Sequence, residues 1–131
     1  MKIKLTATSL RVAVLPVFVL LSVTAMSGTA LACDCVERSE KESFRHADLV
    51  FEGEVIRIAE ANYRTVYTFA VTKVLKGSID REVIITGSGS NCDADFRPKV
   101  IYRVYARKFE DKLISGQCSG NKELKKKRGH G

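Results

Sequence analysis

Thr65-Val66-Tyr67-Thr68-Phe69-Ala70-Val71-Thr72-Lys73-Val74-Leu75 alternates, with Tyr67, Phe69 and Val71 on one face and Thr68, Ala70 and Thr72 on the other. That is the period of a β-strand, whose successive side chains point to opposite faces of a sheet. The same period continues on both sides. Leu49 to Ile58 is rich in Val, Ile and Phe, with Glu52, Glu54 and Arg57 interspersed, and Gly53 inside it predicts a bulge or sharp bend. Downstream, Lys76-Gly77-Ser78 reads as a turn, Glu82 to Thr86 as a third strand, and Gly87-Ser88-Gly89-Ser90-Asn91 as a flexible loop ending at Cys92. Val100 to Ala106 is a fourth strand, with Val100, Tyr102, Val104 and Ala106 facing one way and Ile101, Arg103 and Tyr105 the other; Lys112 to Ser115 is a short fifth.

Ahead of the strands, Ser39 to Ala47 reads as a short helix. Ser39 with Glu42 three residues on forms a capping box, and acids occupy the first turn. At about two turns it is too short to stand alone in water, so Phe44 and Ala47, at helical spacing, are expected to press it onto a sheet. One short helix and five strands with regular turn signals predict an all-β fold: a closed or nearly closed antiparallel barrel, for which the five-stranded Greek-key OB barrel has the right size. A strongly curved sheet packed on the helix is the other arrangement this pattern allows.

The chain ends differ from this body. Met1-Lys2-Ile3-Lys4 and Arg11 precede an apolar run from Val12 to Met26, and Ala30-Leu31-Ala32 puts small residues at −3 and −1 before Cys33. That is the order of a cleavable signal peptide, residues 1–32. The run is about 15 residues and contains Pro16, short of the roughly 20 residues a membrane-spanning helix needs, so a retained anchor is the weaker reading. Lipidation of Cys33 is a minority alternative, since that processing prefers Leu where Ala30 stands. The expected product is a secreted or periplasmic chain of 99 residues, with one domain at 33–121 and a basic, disordered tail at 122–131.

Net charge is +7 for the whole chain, but leader and tail carry it; residues 33–121 hold 14 basic and 14 acidic side chains. A balanced body argues against nucleic acid as a partner.

All four cysteines, Cys33, Cys35, Cys92 and Cys118, lie after the leader. Export favours disulfides over a thiolate metal site, and the spacing lacks the paired short intervals of zinc ribbons. Joining Cys33 to Cys35 would make a strained ring, which leaves two long-range arrangements: Cys33–Cys92 with Cys35–Cys118, or the crossed pair. In either, cleavage after Ala32 makes Cys33 a tethered N-terminus. Its α-amine, a neutral donor in a fair fraction of molecules near neutral pH, could close a five-membered chelate with the Cys33 carbonyl oxygen on a metal with an open position, such as a metalloprotease zinc.

Several landmarks occur together. Cys33-Asp34-Cys35-Val36 is followed by the short helix and by Ala47-Asp48-Leu49-Val50-Phe51-Glu52-Gly53-Glu54-Val55. Then come Phe69 to Gly77 with its Lys-Gly turn, Thr86-Gly87 before Cys92 and Phe96, Tyr102 to Ala106, and Cys118-Ser119-Gly120-Asn121. In this order they resemble the bacterial branch of the netrin-like family, related to tissue inhibitors of metalloproteinases. The resemblance spans about 90 of the 99 residues after the leader. It implies an OB barrel, disulfides Cys33–Cys92 and Cys35–Cys118, zinc chelation by Cys33, insertion of Asp34 into the protease specificity pocket, and contact of Val36 with the cleft nearby. Two positions depart from the inhibitors: Asp34 replaces a small hydroxyl residue and Glu37 a proline. A carboxylate driven into an apolar pocket is desolvated, which is costly unless a cation awaits it.

The function expected from these residues is inhibition of a zinc metalloprotease by a monomeric protein that has no cofactor or metal of its own. The alternative is a non-catalytic envelope module that uses a barrel face, or Lys125, Lys126, Lys127 and Arg128, on anionic polymer, lipid or protein. No enzyme is expected. His46 reads as a surface or packing residue, His130 lies in the tail, and no nucleophile or metal-ligand set is visible. The 87–90 loop lacks the Lys-Ser/Thr of a phosphate loop, and Asp93 and Asp95 read as solvated turn residues.

Overall fold

The computed structural model describes residues 33–126. Residues 1–32, expected to be a signal peptide, and residues 127–131 lie outside this range. Helix α1 spans Glu40–His46; the strands are β1 (Leu49–Ala61), β2 (Arg64–Lys76), β3 (Glu82–Thr86), β4 (Val100–Phe109), β5 (Lys112–Ile114) and β6 (Lys122–Lys126). β1 to β5 close into a barrel in the order β1-β2-β3-β5-β4, with β4 pairing back onto β1. Every junction is antiparallel except β3–β5, where Thr86 and Ile114 meet in parallel. The barrel is therefore mixed, not antiparallel throughout as expected. The reason is parity: a closed ring with an odd number of strands cannot alternate direction at every junction.

The two alternating stretches build the core. Phe51 and Val55 of β1, Tyr67 and Phe69 of β2, Val83 and Ile85 of β3, and Val100, Tyr102, Val104 and Ala106 of β4 all point into the barrel. Phe96, from the loop before β4, lies at the centre of an aromatic cluster. Its ring meets Tyr67, Phe69 and Tyr102 edge-on, with centroids 5.1, 5.1 and 5.0 Å away. Gly53 marks the bend its sequence predicts: the β1–β2 register shifts between Glu52 and Gly53, and a Cβ there would sit 2.8 Å from the Ala70 carbonyl oxygen. β1 and β2 run past Ile58 as a hairpin whose turn, Asn62-Tyr63, has positive φ at both residues (51° and 60°), the two-residue form that suits strand twist.

Helix α1 has the expected capping box, with Ser39 as N-cap and Glu42 reaching back to the Ser39 N–H. Its docking differs from expectation. Ala47 is buried with Val50 and Tyr105, but Phe44 stays 40% exposed and Ser43 is the buried residue inside the helix. The helix is tied down at its C-terminal end by Lys76. Its ammonium donates to the carbonyls of Phe44, Arg45 and Ala47 at 2.8, 3.2 and 2.5 Å and lies 5.4 Å from the Phe44 ring centre. A cation on the free carbonyls of a helix C-terminus is favourable.

The basic tail needs correction. Lys122–Lys126 is not disordered but forms β6, antiparallel to the first half of β4, with Val100 opposite Lys126 and Arg103 opposite Lys122. Backbone pairing and local charge support it. Arg97 pairs with Glu123, and Lys122 with Glu40 at 2.9 Å; the Arg103 guanidinium bridges Glu40 at 2.6 Å and Glu52 at 2.7 Å. Hydrogen bonding and charge from Lys122, and then from Arg103, hold the Glu40 carboxyl below the usual carboxylate range.

Candidate functional site: the doubly cross-linked segment 33–36

All four cysteines are paired, Cys33 with Cys92 and Cys35 with Cys118. Their Cα separations, 5.5 and 5.2 Å, fall in the usual range for a disulfide. Of the two arrangements open from spacing, this is the one the family resemblance implies. Two disulfides and no free thiol are the mark of an oxidising compartment outside the cytoplasm. Among the described residues, no helix is long and apolar enough to cross a membrane.

The anchors at the far ends of these cross-links are themselves joined. Cys92 precedes Asp93, which bridges to Gly116, and the Cys92 carbonyl accepts from Gln117 N at 2.9 Å. Cys118 sits in a single 3-10 turn, Gln117–Ser119, closed by Ser119 Oγ accepting from Gly116 N at 2.9 Å. Behind the turn, Asn121 accepts from Tyr105 N at 2.9 Å and donates to Ser115 Oγ at 2.9 Å and the Gly116 carbonyl at 3.2 Å. Ser115 Oγ in turn donates to the Tyr105 carbonyl at 2.8 Å. The turn is thus hydrogen-bonded to β4, and Cys35 is bonded to the turn. Gly120, at φ 95°, lets it approach α1: a Cβ there would lie 2.6 Å from Ser43 Oγ.

The loop before Cys92, expected to be flexible, is closed around the carboxylate of Asp93. Ser88 N, Ser88 Oγ and Gly89 N donate to it at 2.7, 2.6 and 2.9 Å. Asp93 is therefore a structural residue, not a solvated one, and Asp95 is exposed apart from it. A Cβ on Gly87 would sit 2.6 Å from Asp93 Oδ2, so that position accepts only glycine without rearrangement. Partial burial pushes the Asp93 carboxyl upward, but the bonds from Ser88, Gly89 and Ser90 outweigh it and hold the group below its ordinary value of 3.8.

This sets a pH dependence. A lowered native pKa contributes stability that is complete above the unfolded value and is lost as pH falls through the native one. Asp93→Asn should cost about 1 kcal/mol at pH 7, a charge-assisted bond discounted for exposure. The difference from wild type should shrink below about pH 3.8. Urea titrations at pH 7 and pH 3 measure both; a difference that persists undiminished at pH 3 contradicts the assignment.

Held between these supports, residues 33–39 lie at the surface. Cys33 is half-buried, and Asp34, Cys35, Val36, Glu37, Arg38 and Ser39 are exposed in succession, Val36 to 79%. The Asp34 carboxylate has no hydrogen-bond or ion-pair partner among the described residues. Beside the segment, loop 88–91 leans on the β1–β2 turn; a Cβ on Gly89 would be 3.5 Å from Arg64 Cγ and 3.7 Å from the Tyr63 carbonyl. Tyr63 is fully exposed at the tip.

Cys33, Asp34 and Val36 are neighbours along the chain, Cys33 half-buried and the other two exposed. His46 is exposed on α1. Lys125 and Lys126 belong to β6 by their backbone, while Lys127, Arg128 and His130 lie outside the described residues. Sequence reasoning missed the carboxylate-filled loop and the Ser115–Asn121 clamp. Both depend on short polar side chains whose partners are backbone groups, which no periodicity reports. The chain matches no known family model and none of the curated proteins.

Proposed function

We propose that the chain, exported and cut after Ala32, inhibits a zinc metalloprotease through the amine and carbonyl oxygen of Cys33. The observation that carries this reading is the double tether: residues 33 and 35 are each cross-linked to a hydrogen-bonded part of the barrel, while 34 and 36 stand free. A chain end is ordinarily frayed, and fixing it on binding costs conformational entropy. Here that cost is met at folding. A rigid amine and carbonyl can replace the water on a catalytic zinc, whose protein ligands leave one position open. The exposed residues that follow, Asp34 and Val36, then lie in the cleft beside the zinc. A protease inhibited this way has its nucleophile displaced and no scissile bond presented to it.

Titration of the processed chain against a panel of zinc endopeptidases tests the reading. Stoichiometric inhibition of at least one is expected. A form with a single alanine ahead of Cys33 should bind at least about 100-fold more weakly, about 2.7 kcal/mol, because the amine becomes an amide with no available lone pair. Equal inhibition by both forms, or none by the processed chain, overturns the proposal.

A further inference from the structure

We infer that the outer edge of β6 is a docking strand for an extended acidic peptide, which adds to the sheet by backbone pairing. The inference stands apart from the Cys33 reading, since it uses neither the amine nor the cross-links.

Two observations carry it, one of topology and one of charge. Strands β1 to β5 close on themselves, with β4 returning to β1, and closure is how a barrel removes unpaired edges. β6 lies outside that ring. It pairs with residues 100–103 of β4 and with no other strand among the described residues, so its far side presents backbone N–H and C=O groups with no strand beside them. Lys122, Glu123 and Leu124 are all exposed, as an uncovered edge requires. The strand is nonetheless fixed in place. Lys122 binds Glu40 at 2.9 Å and Glu123 pairs with Arg97, so an incoming peptide meets a template already formed and does not have to order it.

Charge selects the occupant. Residues 33–121 hold 14 bases and 14 acids, whereas residues 122–128 hold five bases and one acid. The net charge of the chain after residue 32 thus belongs to this strand and the residues that follow it. A second copy of the edge is repelled by that charge, which is how lysines keep an open strand from pairing with itself. A strand rich in Asp and Glu is attracted by it, so the same residues exclude one partner and favour another. Other open edges lack the bias. Residues 56–61 of β1, past the last β4 pair at Glu54, carry Arg57 and Glu60, and residues 82–85 of β3 carry only Glu82.

A polyanion without amides would gain only the attraction at β6. An acidic peptide gains main-chain hydrogen bonds as well, and these hold it extended and in register.

The test uses the chain from residue 33 with both disulfides formed, and a fluorescent peptide of alternating Glu and Val. It is compared with the same peptide N-methylated throughout, which keeps the charge and removes the amide donors, and with a peptide of alternating Lys and Val. Anisotropy titration should show saturable one-to-one binding of the acidic peptide and none of the basic one. The N-methylated form should bind at least about tenfold more weakly, since two or more hydrogen bonds of about 1 kcal/mol are lost. Lys125→Glu/Lys126→Glu should weaken the acidic peptide by at least about tenfold, because attraction becomes like-charge repulsion. That variant should melt with wild type, as the ring closes without β6. Amides of residues 122–126 should exchange more slowly with solvent when the acidic peptide is bound. N-methylated peptide that binds as tightly as its parent, or binding that leaves exchange at 122–126 unchanged, would reduce the segment to a plain anion-attracting surface and overturn the docking strand. Absence of saturable binding by the acidic peptide overturns it too, and none of these results bears on Cys33.

Discussion

Replacing Phe96 with alanine is expected to remove about 4 kcal/mol of folding stability, within the range for truncating a buried aromatic side chain. The residue comes from a loop, yet its side chain is 3% exposed. It meets three aromatic rings edge-on at 5.0 to 5.1 Å, contacts that contribute beyond area burial. Its truncation would leave a cavity facing Tyr67, Phe69 and Tyr102, and the cost of such a cavity adds to the lost burial. Tyr67 is further fixed by its hydroxyl, which donates to the Ala94 carbonyl at 3.0 Å. Phe109, 54% exposed at the end of β4, provides the contrast: its truncation should cost under about 1 kcal/mol. Denaturant unfolding of both variants decides the matter, and equal losses would show that Phe96 is not the keystone of the barrel core.

Opening the Cys35–Cys118 cross-link should have an effect of similar size. The bond closes a loop with a sequence separation of 83, for which the chain-entropy model gives about 4.5 kcal/mol. The Cys33–Cys92 loop, with a separation of 59, overlaps it, so removing both should cost less than twice that. A domain of this size has a net stability of about 5–15 kcal/mol, so the variant Cys35→Ser/Cys118→Ser should fold but unfold in much less denaturant. Its Cys118 turn retains the Asn121 clamp, while Val36 and its neighbours lose their second anchor. Inhibition should therefore weaken even under conditions where the barrel is fully folded. A loss of under about 1 kcal/mol, or unchanged inhibition, would mean that the tether at residue 35 matters to neither stability nor presentation.

Where the chain faces the core, its sequence was readable. The alternation in Val100 to Ala106 placed four side chains inside the barrel, and the structure buries all four. Gly53 marked a bulge, and Ser39 with Glu42 marked a helix start. The misreadings fall where burial stops directing side chains. Beyond Ile58 the β1–β2 hairpin leaves the core, so its last residues have no apolar period although the ladder continues to Arg64. In β6, Lys122, Glu123 and Leu124 are all exposed. The strand is specified by the free edge of β4 and by charges on residues distant in sequence, with Lys122 meeting Glu40 and Glu123 meeting Arg97. Phe44 looked like a docking residue because it is apolar, but Lys76 holds the helix by its carbonyls and leaves the ring at the surface.

The candidate site divides the same way. Its cysteines were visible as four residues that had to pair over long range. The platform beneath them was not, since Asp93, Ser115 and Asn121 act through backbone groups brought near only by barrel closure.

All of the proposed activity depends on Cys33 beginning the mature chain with its amine free and both cross-links formed. Intact mass of the exported protein under non-reducing conditions reads these features together. The expected mass is that of residues 33–131 less four hydrogens for two disulfides, unchanged by thiol alkylation without reduction. A mass that starts at another residue, carries an acyl or lipid group on Cys33, or rises on direct alkylation would contradict it.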